Sequence, residues 1–435
     1  MLKLFSLAVL GLAILDLHAA NWPQWRGPFF NGSSSETNLP ATWSKTENVV
    51  WSAPLPGQSG ATPVIWEDTV FVSSPDAEKN LLLLCLDRRT GTENWRRVVA
   101  TGNRDKGRNN MASPSPVTDG RAVFVLFATG HLAAYDFDGQ PLWSRDLAAE
   151  YGRFANMWIY GSSPMLFQDR LYIQVLQRNP VPGDYSHALD DKPARESFLL
   201  CVDPATGKNL WRQVRPSDAR GESQEAYSTP IPWVRGAAVE ILVVGGDYLT
   251  GHDAATGREL WRGAGFNPNG EGHWRIVPSP VVAGGVVIGC APKRDPVLAF
   301  KPAGAGRLPD TALVWKLKEF PSDCATPLYY RDKLFVLDGD RQVMTCLRPA
   351  TGEKLWQGNL GVREIFRASP TGADGRIYCI SENGTAVVLA ADEFKVLATI
   401  PMGESPVRST IAVAAGQLFV RTASHLYCIG RKANP

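Results

Sequence analysis

A ten-residue unit built around a tight turn and a tryptophan recurs along this 435-residue chain and constrains its fold more than any other feature. The clearest copies are VDPATGKNLW at 202–211, LDRRTGTENW at 86–95, HDAATGRELW at 252–261 and LRPATGEKLW at 347–356. In each copy a Thr-Gly pair closes a turn between two apolar strands, because Gly tolerates a positive φ and Thr can bond turn amides through its side chain. One copy predicts a β-hairpin, whereas many copies predict a repeat architecture.

Weaker copies extend the pattern through the rest of the chain. YDFDGQPLW and the stretched FKPAGAGRLPDTALVW keep the strand and the tryptophan but lose the Thr-Gly pair, and LAADEFKVLATI has Leu397 at the position that we assign to tryptophan. Successive anchors lie 41 to 68 residues apart, in or near the range of a four-stranded propeller blade. We expect the tryptophans to be structural anchors that dock between blades: Trp95, Trp143, Trp211, Trp261, Trp315 and Trp356.

The two ends of the repeat region complement each other. The last unit, from Ser409 to Gly430, supplies three strands and then stops, while VVWSAPLPG near the start is a strand with an anchor, Trp51, but no hairpin partner. Pairing the two would close the ring without open sheet edges. We therefore predict an all-β fold, an eight-bladed β-propeller of four-stranded antiparallel blades over residues 47–432, preceded by an irregular arm at 21–46. Seven blades is the alternative, if the terminal unit packs as a cap.

The first seven blades each open with a Ser-Pro or Thr-Pro pair, and no window longer than a turn or two indicates a helix. The openings are at Thr62, Ser113 or Ser115, Ser163, Thr229, Ser279, Thr326 and Ser369. With strands labelled a to d, the b–c and d–a connections emerge on one face of a propeller. The long segments lie there, at 100–111, 148–161, 177–196, 215–227 and 265–277. Long loops on a rigid scaffold usually carry function, so we expect a binding site on this face.

The first twenty residues have the pattern of an export signal. Lys3 precedes an apolar run from Leu4 to Leu15, and Ala19-Ala20 offers a small-residue cleavage point. No Cys lies near that point, so we expect no lipid anchor, and no other segment approaches the length of a membrane span. We expect an exported monomer in the periplasm, the cell envelope or the medium. The net charge of +2, without a basic run, argues against a nucleic-acid partner.

The seven cysteines do not form the pattern of a disulfide framework. Cys85, Cys201, Cys346 and Cys428 fall in the same strand of their repeats, and equivalent sites on different blades are too far apart to be bridged. We expect most of them to be small buried apolar residues.

The repeat resembles the tryptophan-docking unit of the PQQ-like propeller family, which includes the quinoprotein dehydrogenases. In organisation the chain is most similar to the eight-bladed propellers of the BamB type, and this resemblance implies a protein-binding scaffold without a cofactor. The chain lacks the N-terminal lipidation Cys of the BamB lipoprotein, which puts membrane anchoring in doubt.

The enzyme branch of the family implies a different set of residues. Its alcohol dehydrogenases have an adjacent Cys-Cys pair over the quinone and a calcium ion held by a carboxylate and an amide, with an Asp as base. Here no two cysteines are adjacent and C-x-x-C-H is absent. Glu225, Asn109 or Asn110, and Asp323 could take the calcium and base positions, but no flanking motif distinguishes them. We therefore expect no cofactor, with PQQ and calcium only under an oxidoreductase alternative. A hydrolase or lyase with an unrecognised site is the third possibility.

The residues just before each Ser/Thr-Pro pair are expected to point into the central funnel. Aromatic and arginine side chains predominate among them, as they do at protein interfaces and small anionic-ligand sites. The alternative is that they plug the channel and pair with one another. A metal site at His187 with Asp184, Asp190 and Asp191 matches no known spacing. The candidate binding residues are Asn110, Trp158, Tyr160, Tyr227, Trp274, Arg275, Asp323, Arg367 and Arg408.

Overall fold

The protein forms eight four-stranded antiparallel sheets, which we label blades 1 to 8. The structure is a computed structural model that describes residues 21–191, 195–293 and 296–431, so the predicted signal peptide at 1–20 lies outside the described residues. The first strands of neighbouring blades contact one another in blades 8 and 1, 1 and 2, 2 and 3, 5 and 6, and 6 and 7. The predicted all-β, eight-bladed propeller is therefore confirmed.

In each blade, strand a lies nearest the centre of the ring and strands b, c and d follow it in order toward the outside. In blade 1 they are Val64–Trp66, Thr69–Pro75, Asn80–Asp87 and Glu93–Thr101. In blade 2 they are Val117–Thr118, Ala122–Leu126, His131–Asp136 and Pro141–Asp146. In blade 3 they are Met165–Phe167, Arg170–Val175, Phe198–Val202 and Asn209–Val214. In blade 4 they are Ile231–Arg235, Ala238–Gly245, Tyr248–Asp253 and Glu259–Gly263.

The second half of the ring repeats this order. In blade 5 the strands are Val281–Ala283, Val286–Cys290, Val297–Phe300 and Leu313–Leu317. In blade 6 they are Leu328–Tyr330, Lys333–Asp338, Val343–Leu347 and Lys354–Asn359. In blade 7 they are Thr371–Ala373, Arg376–Ile380, Thr385–Ala390 and Val396–Pro401. In blade 8, strands a to c are Ala412–Ala414, Gln417–Arg421 and His425–Ile429, and strand d is Val49–Pro54.

A few elements stand outside the repeat. A small hairpin joins Asp105–Lys106 to Asn109–Asn110, and Gly306–Arg307 adds a parallel fifth strand to blade 4. The helical elements are short: Leu147–Tyr151, Ser186–Ala188, Gly221–Gln224 and Asp310–Ala312. No helix in the described part of the chain is both long and apolar enough to cross a membrane.

The N-terminal strand closes the ring, as predicted. Val49–Pro54 pairs with His425–Ile429, and Trp51 lies opposite Cys428. The seam between blades 8 and 1 is reinforced by Arg421, whose buried guanidinium donates to the carbonyls of Ala61 and Ser73. Burial lowers the pKa of this arginine to about 9. The closure of the ring is thus held by the pairing of the N-terminal strand within blade 8 and by the hydrogen bonds of Arg421 to blade 1.

The tryptophan anchors dock on the turn of the next blade. The Nε1–H of Trp51 donates to the carbonyl of Arg88 at 2.7 Å, and four further anchors make the equivalent bond at 2.7 to 3.2 Å: Trp95, Trp143, Trp211 and Trp315. A Cβ placed on the turn glycine Gly207 would lie 2.7 Å from the ring of Trp143. The Thr-Gly turn therefore needs glycine both for its φ of +71° and for the approach of the neighbouring indole.

Blades 4, 6 and 7 depart from this pattern. In blade 6 the buried Nε1–H of Trp356 has no hydrogen-bond acceptor among the described residues. Trp261 donates to Glu240 instead, because the stretched turn of blade 5 offers no docking glycine. In blade 7 the prediction for Leu397 is wrong: Ala398 lies opposite Val388, the register of a docking tryptophan, and Leu397 is 39% exposed. A β-bulge in strand d turns the residue before each anchor outward, so that a one-residue error exchanges a buried position for an exposed one.

Small residues face the anchors across the sheet. Cys85, Cys201, Cys346 and Cys428 each lie directly opposite a tryptophan. All seven cysteines are free and six are buried, Cys324 being partly exposed. Their predicted role as small apolar residues is confirmed for these six.

The Ser/Thr-Pro openings form a chain of hydrogen bonds around the channel. The hydroxyl of Ser115 accepts from the amide of Thr62 at 2.9 Å, and the hydroxyl of Ser279 accepts from the amide of Thr229 at 2.7 Å. Four further links at 2.9 to 3.0 Å join Ser115 to Ser163, Ser163 to Thr229, Ser279 to Thr326, and Thr326 to Ser369. Blades 2 to 7 thus each satisfy a buried amide of the preceding blade, and Ser115 rather than Ser113 opens blade 2.

The segment before the propeller crosses the face that carries the a–b turns. Trp22 bridges to Ile65 in blade 1, and Ser33 bridges to Gly372 in blade 7. The buried Arg26 donates to the carbonyls of Pro327 and Pro370 in blades 6 and 7. This segment therefore covers the channel on the face opposite the long loops.

Candidate functional site

A cavity of about 290 Å³ occupies the centre of the ring. Trp25 lines it from the arm, and the Ser/Thr hydroxyl ring forms its waist, with Ser115, Ser163 and Thr229 among the lining residues. The d–a loops form its mouth on the face that carries the long segments. The cavity is therefore a funnel that opens toward the loop-rich face.

Six of the nine predicted funnel residues line this cavity: Trp158, Tyr227, Arg275, Asp323, Arg367 and Arg408. Three lie elsewhere. Asn110 is buried and donates to the carbonyl of Gln58 beside an adjoining cavity of about 80 Å³. Tyr160 is buried and donates to the carbonyl of Gln174, and Trp274 contributes no wall to the cavity.

Sequence reasoning missed several lining residues. Arg108 lies on the small hairpin beside Asn109, which the family resemblance suggests only for the calcium position; Cys324 follows Asp323, and Trp25 lies on the arm. Cys324 stands two residues before Thr326, as Tyr227 stands before Thr229 and Arg367 before Ser369, so the equivalent spacing could have identified it as a candidate. Nothing in the sequence indicated that the arm reaches the channel.

Each arginine at the mouth is oriented by a carboxylate on a neighbouring loop. Arg367 pairs with Asp340 at 2.7 Å, and Arg408 pairs with Glu382 at 2.7 Å. Such charge-assisted bonds fix the plane of a guanidinium and leave its other N–H groups to face the cavity. These carboxylates lie outside the predicted set of funnel residues, so the two arginines do not pair with one another, and an open cavity remains.

The aromatic side of the mouth is built in the same manner. The Nε1–H of Trp158 donates to Glu222 at 2.8 Å, and Arg275 lies 3.3 Å from the same carboxylate. The Arg275 guanidinium also lies 5.9 Å from the centre of the Trp158 ring. One glutamate therefore holds a cation and an indole together.

The small hairpin, in the connection from blade 1 to blade 2, reaches over the mouth to blade 7. Arg108 at its tip pairs with Glu382 of blade 7 at 3.1 Å, and its carbonyl accepts from Arg408. Gly107 lies over the ring of Trp158, where a Cβ would come within 2.7 Å. The hairpin thus joins the arginine side and the aromatic side of the mouth.

Glu225 lies behind the aromatic side and is fully buried. One carboxylate oxygen accepts from Tyr185 at 2.7 Å and pairs with Arg178, and the other accepts from the Met157 amide and from Tyr227. Burial raises the pKa of this carboxyl above its ordinary value. Both oxygens of Glu225 are therefore fully engaged in hydrogen bonds and an ion pair that stabilise the wall of the funnel.

These residues do not fit the calcium and quinone site of the enzyme branch. Glu225 has no exposed oxygen, and one oxygen of Asp323 accepts from the Lys293 amide. Cys324 lines the cavity without an adjacent cysteine. Within residues 21–191, 195–293 and 296–431, no three His, Cys, Asp or Glu side chains are grouped to hold a metal, and the segment around His187 is no exception.

A closed ring of eight blades, anchored by tryptophans that dock on Thr-Gly turns, defines a tryptophan-docking propeller of the PQQ-repeat class. The family model described as outer membrane protein assembly factor BamB matches residues 33–172, 194–304, 308–397 and 340–430. The chain belongs to this family. No curated protein sequence matches it.

Solved structures of both branches share the fold. The quinohemoprotein alcohol dehydrogenase ADHIIG of Pseudomonas putida is 12% identical, with a TM-score of 0.67 over 96% of this chain and 81% of that one. BamB from Moraxella catarrhalis is 13% identical, with a TM-score of 0.58 over 89% and 98%. A europium-containing methanol dehydrogenase is 10% identical, with a TM-score of 0.67 over 93% and 90%. At these identities the likeness establishes the fold and leaves the function to be argued from the site.

Proposed function

We propose that the protein is an exported, non-catalytic propeller that binds a protein or surface polymer in the cell envelope through the mouth of its central funnel. The observation that supports this most is the arrangement of arginines and aromatics at the mouth, each fixed by a carboxylate behind it. Pre-oriented arginine and tryptophan side chains in a concave site are frequent centres of binding energy.

The same proposal includes that the protein functions without PQQ and calcium. The carboxylate that would hold calcium is buried in a knot of tyrosine and arginine side chains, and no cysteine pair covers the cavity. The description of the matching family model, outer membrane protein assembly factor BamB, supports the proposal.

A charge-reversal experiment tests the site. Arg275→Glu combined with Arg367→Glu should weaken capture of partners from an envelope extract, while the melting temperature changes little. The matched control is Lys208→Glu combined with Arg258→Glu, two exposed cations on c–d turns of the opposite face. Equal capture by both double variants would place the binding surface elsewhere.

The oxidoreductase alternative is supported by the fold likeness to the alcohol and methanol dehydrogenases. It predicts stoichiometric binding of PQQ to purified protein and calcium-dependent reduction of an electron-accepting dye. We expect neither. Export is tested separately, since N-terminal sequencing of protein from the envelope fraction should begin near Asn21.

A further inference from the structure

A second, larger cavity of about 840 Å³ lies on the outer side of blades 4 and 5. Three segments that break the repeat meet there: the 215–227 loop, the 265–277 loop and the stretched turn of blade 5. The stretched turn pairs Gly306 and Arg307 with strand d of blade 4, and the Leu308 amide donates to the Arg262 carbonyl at 2.8 Å. The insertion thereby covers a sheet edge and forms one wall of a cleft.

The floor of the cleft carries two carboxylates. Asp218 accepts from the Tyr248 hydroxyl at 2.8 Å, and one oxygen of Asp247 accepts from the Asn267 amide at 3.0 Å. The other oxygen of Asp247 is buried and has no hydrogen-bond donor among the described residues. Burial, with a contribution from the nearby Asp218, raises the pKa of Asp247 to about 6. Because that oxygen is shielded from solvent, a ligand donor reaches it only if a side chain of the floor moves aside. Both Asp218 and Asp247 nevertheless line the cleft, where their carboxylates can accept from the hydroxyl groups of a ligand.

The rim of the cleft carries three cations and one exposed carboxylate, Asp310. Arg220, Arg307 and Lys316 come from three different segments and are exposed. None of the three makes a side-chain hydrogen bond or an ion pair with any residue that the structure describes. These cations are available to an anionic group.

We propose that this cleft binds a saccharide unit that carries an anionic substituent, carboxylate or phosphate. Hydroxyl groups of the sugar would donate to Asp218 and Asp247, which can only accept when ionised, while the substituent would pair with the rim cations. The cavity volume lies in the range of about 300–1,000 Å³ that is usual for sites of drug-sized ligands. A metal ion or a single amino acid would leave most of it empty.

The cleft shares no lining residue with the central funnel, so its ligand and the partner of the funnel can be tested independently. Calorimetric titration uses three probes: trigalacturonate carries carboxylates, glucose 6-phosphate carries a phosphate, and maltotriose is neutral. We expect saturable binding of at least one acidic probe and at least tenfold weaker binding of maltotriose. A tripeptide with free termini, triglycine, tests a zwitterionic ligand instead.

Two variants connect binding to the cleft. Arg307→Glu combined with Lys316→Glu should weaken the acidic probe at least tenfold, and Asp247→Asn should weaken it at least fivefold. Asn tolerates the left-handed backbone of this position, where φ is +67°, so Asp247→Asn should retain the fold. Lys208→Glu combined with Arg258→Glu is the control and should leave binding unchanged.

The result that would overturn the proposal is equally specific. It is wrong if no acidic saccharide binds at millimolar concentration, if triglycine binds more tightly than both acidic probes, or if binding persists unchanged in both cleft variants. Melting curves of the variants verify that each is folded. A funnel that captures its partner while the cleft binds no saccharide would refute this inference alone.

Discussion

The indole of Trp43 lies against the ring of Tyr378, with the ring centroids 6.4 Å apart. Tyr378 takes the strand b position that Phe335 takes in blade 6, where the ring centroids of Phe335 and the docking Trp356 are 5.7 Å apart. Blade 7 itself has Ala398 at the docking position. A tryptophan from the N-terminal arm therefore fills the place of the missing anchor.

Trp43→Ala should consequently behave as a core substitution although the residue precedes the first strand. We expect the free energy of unfolding to fall by about 3–5 kcal/mol, the range for removal of a large buried aromatic. Denaturant unfolding measures it. Trp274→Ala, at a partly exposed tryptophan outside both the core and the funnel lining, is the control, and equal effects of the two would show that the arm is not part of the core.

Substitution of a docking tryptophan by alanine should lower the free energy of unfolding far more than the same substitution at the residue beside it. Trp211→Ala and Trp261→Ala should each lower the free energy of unfolding by about 3–5 kcal/mol. Each variant loses the packing of the indole and the hydrogen bond that its Nε1–H donates, to the Ala254 carbonyl from Trp211 and to the Glu240 carboxylate from Trp261. Leu397→Ala, on the outward side of the bulge, should cost less than about 0.5 kcal/mol. Similar melting temperatures for all three variants would contradict the docking role.

The chain of Ser and Thr hydroxyl groups around the channel predicts that removal of a single hydroxyl group lowers the stability of the fold. Ser279→Ala removes the acceptor of the buried Thr229 amide, which should lower the free energy of unfolding by about 1–3 kcal/mol. Ser52→Ala, at an exposed site on strand d of blade 8, provides the same change without a buried partner. A loss at Ser279 no greater than at Ser52 would mean that the neighbouring blades do not depend on this bond.

His252 predicts a dependence of stability on pH. It is fully buried, and burial lowers its pKa to about 4, whereas an unfolded histidine titrates near 6.5. The unfolded chain therefore takes up the proton first, so the stabilisation is complete above pH 6.5 and is lost as the pH falls toward 4. The loss should approach about 3 kcal/mol. Melting curves of wild type and His252→Gln should diverge at neutral pH and converge toward pH 4, whereas the same substitution at exposed His273 should leave the wild-type profile unchanged.

Deletion of residues 21–56 tests the closure of the ring. It removes the arm, the anchor Trp51 and the strand that pairs with His425–Ile429, and it leaves an open sheet edge in blade 8. We expect a sharp fall in melting temperature and a tendency to aggregate. A truncated protein that melts like the full chain would contradict the shared blade.

The features that follow from local chemistry could be predicted from the sequence. Trp51 was identifiable as the missing anchor because one unpaired strand and one incomplete blade stand at opposite ends of the same repeat. The turn glycines were identifiable because a hairpin requires their φ. Leu397 was misassigned because a bulge reverses the orientation of adjacent residues, and the turn of blade 7 lacks the Thr-Gly pair that fixes the register elsewhere.

The candidate sites were only partly predictable. The segments before each Ser/Thr-Pro pair do converge, but Tyr160 turns into the core while Tyr227 lines the funnel, because neighbouring residues of an extended segment point in opposite directions. The lateral cleft could not be predicted at all. Asp218, Asp247 and Arg307 lie in three segments whose proximity depends on the insertion of one blade lying over the edge of another.

The shared blade also fixes the order in which the molecule can be completed. Val49–Pro54 leaves the ribosome among the first strands, yet its partner, His425–Ile429, is among the last. Blades 1 to 7 can form from local hairpins as the chain lengthens, whereas blade 8 depends on a contact of very high sequence separation, which is intrinsically slow to form. A chain cut short anywhere before residue 425 would carry its first strand unmatched, and this unpaired edge distinguishes every incomplete product from the finished ring.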